Sequence, residues 1–232
     1  MTQTLKALRI QTLKIGVTFA IPWYSIAVAI ALCATAFAAI NNQVPDSSRT
    51  VGAVLAFYFS GIGMQPWLVT QMFPFTMALS VTRRAFVQAT MLLIAGEAVI
   101  AGVGLTILNR IEIATHGWFV HMRLLDLSHI HQDNVLAQAL VYAVPMAAVS
   151  TLMAFVGTVF RTFGLFGLWA FFAVLAVAAT AVLVILALTH SFGNVADFFG
   201  SQPMLANLGV YPLVLVALFG TGWAALMMRA RV

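Results

Sequence analysis

FPFTMALSVTRRAF, residues Phe73 to Phe86, is a short, polar-ended interruption between two long apolar runs. One run extends from Val51 to about Met72 and the other from Ala85 to about Leu108. Each suffices to cross a hydrocarbon core, which takes about 20 helical residues. Between them Pro74 can open a helix, because its missing N–H is one of those left unpaired in a first turn. Phe75 to Leu79 continue that helix, and Ser80 and Thr82 are residue types that cap the next one. Arg83 and Arg84 then hold the corner at a cytoplasmic surface. The plainer reading of the stretch is an inner loop with stop-transfer charges.

The chain has 232 residues, 62% hydrophobic and only 7% charged, a composition that excludes a water-soluble fold. Its apolar segments are continuous and lack the alternation of barrel strands, so an all-α polytopic membrane protein is expected. The single cysteine, Cys33, provides neither an internal disulfide nor a cysteine metal site.

Ahead of the first span, TQTLKALRIQTLKI (2–15) sets Leu5, Leu8, Thr12 and Ile15 along one stripe with Lys6 and Arg9 beside it. This spacing predicts an interfacial helix on the inner leaflet. The first span is 16–40, with Trp23 and Tyr24 at headgroup level. Ala36 and Ala38 form an A-x-A pattern, but the run exceeds the about 7–15 residues of a signal-peptide core and is expected to be kept. The second span, 51–72, carries Ser60, Gly61, Gly63, Gln65 and Pro66, and the proline should kink it. The third span is 85–108. Trp118, Met122 and Leu125, in the outer segment 109–134, are spaced to lie flat on the bilayer. The remaining spans are 135–160, 163–188 and 206–228, with Arg161 marking an inner turn. Ser191 to Leu205, too short to cross and too apolar for a simple loop, predicts a re-entrant or surface-lying turn. All of this forms one domain, 1–232, with a coupling helix at 73–82.

Six spans put both termini on one side, and the charges agree. Inside fall Lys6, Arg9, Lys14, Arg83, Arg84, Arg161, Arg229 and Arg231, with no acid among them. Outside fall Arg49, Arg110 and Arg123 with Asp46, Glu112, Asp126, Asp133 and Asp197. Eight bases against three follow the positive-inside rule and predict an N-in, C-in topology. The net charge of +5 therefore reports orientation, and no nucleic-acid partner is expected.

No G-x-x-x-x-G-K-[ST] loop, G-x-S-x-G elbow or H-E-x-x-H pair occurs. A non-catalytic chain without a cofactor of its own is expected, and any ATP-driven work would need a separate ATPase. The order of parts is a basic amphipathic lead-in, six spans, an elbow reading FPFTMALSVTRRAF and a membrane-hugging turn before the last span. In that order the sequence resembles the permease subunits of bacterial ABC exporters of the type-2, six-helix class. At residue level only the elbow, with its FPF start and TRR-aromatic end, is similar.

The resemblance implies a multi-pass protein of the bacterial plasma membrane, surrounded by lipid. Its partners would be a cytoplasmic ABC ATPase carrying Mg-ATP and a second permease subunit, in a homodimer or a heterodimer. It implies that the elbow docks into the ATPase through Pro74, Phe75, Ser80, Thr82, Arg83 and Arg84. Apolar walls favour an amphipathic or hydrophobic cargo, such as a drug, antibiotic, lipid or modified peptide, moved by alternating access.

Glu97 is the only acid in these spans, and a charge at mid-membrane costs about 2.5–3.5 kcal/mol on insertion scales. It shares a face with Thr90, Ala101 and Gly104 and is expected to line the translocation path or a helix interface. Gln65 and Ser60 on the second span are candidates for the same path. The structural alternative is a protonated carboxyl bonded to a neighbouring helix. A secondary transporter or channel would use Glu97 as its proton or cation site. A membrane-embedded enzyme would use the outer acids with His116, His121, His129 and His131, but H-x-H alone is not a metal site and none is expected.

Overall fold

The computed structural model describes residues 2–12, 15–40, 45, 49–125 and 130–229. Lys14, Asp46, Asp126, His129 and Arg231 lie outside the described residues. The chain is all-α, 86% helical, with no strand among the described residues. Its elements are α1 (Gln3–Gln11), α2 (Ile15–Ile40), α3 (Val54–Gly61), α4 (Met64–Trp67), a π-helical turn (Leu68–Met72) and α5 (Phe73–Ala78). There follow α6 (Arg83–Ala114), α7 (Val135–Leu188), α8 (Phe192–Ser201), a second π-helical stretch (Leu205–Val210) and α9 (Tyr211–Arg229). Among the described residues four helices are long and apolar enough to cross a membrane: Phe19–Ile40, Arg83–Ala114, Val135–Leu188 and Leu205–Arg229.

The apolar run before the elbow is not one straight helix. Gly61 ends α3, Pro66 lies inside α4, and the hydrogen-bond ladder then slips into the π turn before α5 begins. The irregularity expected at Pro66 alone is thus spread from Ile62 to Met72.

α7 runs for 54 residues, but it is broken at Gly164, whose φ of 68° and ψ of −162° are open only to glycine. Phe155 and Phe171 lie with ring centroids 5.6 Å apart. Sixteen residues of straight helix would separate them by about 24 Å. The chain therefore doubles back at Gly164, and the reversal falls three residues beyond Arg161, which is still helical. α7 is a hairpin with a first arm up to Phe163 and a second arm from Leu165.

Three further expectations are corrected. α6 continues to Ala114 rather than ending near Leu108, because Glu112 in its last turns finds partners in the loop beyond. α1 packs on α6 through Ala7 and Gln11, both buried, while Leu5 stays exposed. Trp23 is a half-buried packing group: it meets Phe57 edge-on at 5.0 Å, and a Cβ on Gly104 would collide with its indole. Tyr24 is exposed.

Packing sorts the bases. Thr4 and Gln11 of α1 bond to Gln88 and Thr90, near the start of α6. Arg83 Nη1 donates to the Met228 carbonyl at 3.0 Å, and Arg161 reaches the Thr70 carbonyl. Lys6, Arg9, Arg83, Arg84, Arg161 and Arg229 thus lie at one basic end of the bundle. Arg49 bonds to the Val120 carbonyl and Arg110 to that of Asp133 at the opposite end.

Candidate functional site

The elbow is built by two helix-end devices. Pro74 stands in the first turn of α5, where its fixed φ suits the start of a helix. Ser80 does not cap the following helix. Its φ of 59° places it in the left-handed region, the Val81 N–H reaches the Thr76 carbonyl at 3.4 Å and the Ser80 N–H that of Met77 at 3.0 Å. This paired closure ends α5. Thr82 is the cap: its Oγ1 accepts the Ala85 N–H at 3.3 Å and opens α6. Phe73 and Thr76 are buried beneath the elbow, whereas Phe75 and Leu79 project with 50% and 47% of their surface exposed. Arg83 and Arg84 occupy the first turn of α6, against the helix dipole, which favours anions there. Arg83 is engaged with α9 through Met228; Arg84 is exposed.

Glu97 is buried near the middle of α6. Gln65 Nε2 and Ser150 Oγ both donate to its Oε2 at 3.0 Å. The carboxyl thereby joins α4, α6 and the first arm of α7. Beside it a space of only about 10 Å³ is lined also by Pro22, Trp23 and Met146. The other two predicted path residues lie elsewhere. Thr90 accepts from Gln11 Nε2 at 2.9 Å, and Ser60 shares a 2.9 Å hydrogen bond with Ser25 of α2. The structure brings Gln65 and Glu97 together, adds Ser150, and leaves Thr90 and Ser60 in separate interhelical bonds.

An apolar cavity of about 300 Å³ opens between α3 and the first arm of α7, lined by Val54, Tyr58, Phe59, Val141, Tyr142 and Pro145. Its two phenols are engaged: Tyr58 donates to the Tyr142 carbonyl and Tyr142 to that of Leu125, each at 3.0 Å. The walls therefore offer dispersion contacts to an apolar group.

Glu112 is the residue that the sequence reading missed. It is buried in the last turns of α6, where its carboxyl accepts the Trp118 indole N–H at 2.9 Å and the backbone N–H groups of Leu124 at 2.9 Å and Leu125 at 3.1 Å. This clasp draws in a loop whose His116, Gly117, Trp118, Phe119 and His121 all have positive φ. Met122 and Leu125 do not lie on the bilayer. They are fully buried and join Leu124 in a cluster with Ile26, Phe57, Leu105 and Tyr142 that closes the end of the bundle. One signal was readable: an acid six residues before a tryptophan in an apolar context.

His131 Nε2 lies 3.8 Å from Asp133 Oδ1, and no three His, Cys, Asp or Glu side chains converge among the described residues. Comparison with protein families, with curated proteins and with solved structures returns no match for this chain.

Proposed function

We propose that this chain is the permease subunit of an ATP-driven ABC exporter in the bacterial plasma membrane. It works with a second permease subunit, a copy of itself in the simplest case, and with separate cytoplasmic ATPase chains that carry Mg-ATP. In this reading 54–72 is the second crossing, α5 is the elbow below it, and the two arms of α7 are the fourth and fifth crossings. Six crossings then place the basic end, with both termini, in the cytoplasm, as the positive-inside rule requires.

The observation that carries the reading is the elbow. α5 presents two exposed apolar side chains, Phe75 and Leu79, beside an exposed Arg84 that opposes its own helix dipole. A local rule broken at an exposed corner is what a partner surface would compensate. ATP binding would draw the ATPases together, the elbows would carry that displacement into the bundle, and the bundle would alternate between two arrangements. The apolar cavity beside Tyr58 suits the hydrophobic part of an amphipathic cargo. Purification from native membranes in mild detergent, with identification of co-eluting chains, tests the reading. An ATPase bearing the phosphate loop should co-elute in stoichiometric amount, and its consistent absence would overturn the proposal.

A further inference from the structure

Pro74 removes one N–H from the ladder at the start of the elbow. A proline has no N–H, so the carbonyl four residues back, that of Thr70, lacks its α-helical partner. Thr70 lies in the π turn, where the ladder is already out of step. A donor reaches it from another helix: Arg161 Nη1 lies 3.3 Å from the Thr70 carbonyl, and its guanidinium carbon sits 5.0 Å from the centroid of the Phe73 ring. Phe73 is fully buried and meets Phe86, in the first turns of α6, edge-on at 5.0 Å. One cation thus holds both the backbone and an aromatic anchor at the start of the elbow, from a position three residues before the α7 hairpin bend.

We infer that Arg161 is a positioning residue that ties the elbow to the α7 hairpin, so that a displaced elbow carries the hairpin with it as one body. The tie is a property of this chain; only the source of the displacement rests on the exporter reading. A guanidinium suits the task because it presents an N–H edge to the carbonyl and a flat cationic face to the ring at once. Lysine would supply the charge but not that fork.

Spin labels at Ala78→Cys and Leu165→Cys in a Cys33→Ser background, both exposed sites, report the tie in lipid nanodiscs. With Arg161 present the pair should give one narrow distance, unchanged when Mg-ATP is added to the complex with its ATPase. Arg161→Gln should roughly double the width of the distribution, with or without nucleotide. A distribution as narrow as the parent's would overturn the tie, as would a parent distance that shifts with Mg-ATP. A second readout isolates the carbonyl. Arg161→Gln should lower Tm by about 3–6 °C, and by less than half of that in a Pro74→Ala background, if the new N–H takes up the α-helical bond to the Thr70 carbonyl. Equal losses in the two backgrounds would contradict the pairing. If no ATPase co-purifies, the exporter reading fails, while the nucleotide-free distances still decide the tie.

Discussion

Gln65, on the helix before the elbow, donates its side-chain amide to Glu97, on the helix after it, across 3.0 Å of the bundle interior. Ser150 donates to the same oxygen, so one carboxyl fixes three helices at mid-bundle. Glu97→Ala strands both donors away from water, and each buried orphan costs about 1–3 kcal/mol. Glu97→Gln retains a carbonyl oxygen for both. Thermal unfolding in detergent, followed by reaction of Cys33 with a thiol dye, should therefore show Glu97→Gln close to the parent and Glu97→Ala several degrees lower. Unchanged transport and ATPase stimulation in Glu97→Gln would assign the residue to helix packing; loss of both at normal stability would assign its charge to transport.

The Glu112 clasp makes a separate prediction at the opposite end. Glu112→Ala deprives the Leu124 and Leu125 amides and the Trp118 indole of their acceptor and should release the buried loop. In a Cys33→Ser background, Met122→Cys should react with a membrane-impermeant maleimide about tenfold faster or more once Glu112 is replaced by Ala, with Glu112→Gln intermediate. An unchanged rate would show that the apolar contacts of Met122, Leu124 and Leu125 hold the loop by themselves.

Gly164 carries the reversal of α7. Nothing lies within 4 Å of a Cβ placed there, so crowding is not the obstacle. The cost of Gly164→Ala is conformational, about 1–3 kcal/mol. Asparagine, which tolerates left-handed helical backbone, gains no relief at a ψ of −162°. Both variants should lose a similar amount of thermal stability. A Gly164→Asn protein as stable as the parent would contradict the observed backbone.

Much of this structure is legible in the sequence, for a physical reason. Long apolar runs without partners for their backbone in lipid must satisfy it locally, so 16–40 and 206–228 read as helices within a few residues. Proline and threonine marked the elbow because their effects on a helix start are local. What escaped notice depends on partners distant in sequence. Helical spacing placed Met122 and Leu125 on a lipid-facing stripe, but left-handed residues before them rule out that geometry, and Glu112 supplies the acceptor that makes the turn stable. The same acceptor lets α6 run past Arg110 and Glu112, where hydropathy falls. Trp23 is a residue type of the interface, and Gly104 on another helix makes room for its indole to pack against the bundle. Ser80 can cap a helix or close one, and the carbonyls of Thr76 and Met77 decide for closure. Gln65 and Glu97 read from the sequence as one path, but nothing in the spacing points to Ser150, the second donor to the same oxygen from a third element.

If force enters this bundle through the elbow, as the exporter reading requires, a photo-crosslinking amino acid at Phe75 in native membranes should capture its source. The side chain is half exposed on α5, and Phe59, exposed on α3, serves as the control position. One adduct is expected at Phe75, to a soluble chain bearing the phosphate loop. That adduct should be absent at Phe59 and weakened about tenfold by replacing Arg83 and Arg84 with Ala. Adducts at Phe75 to lipid alone, with no protein captured in active membranes, would contradict the exporter reading.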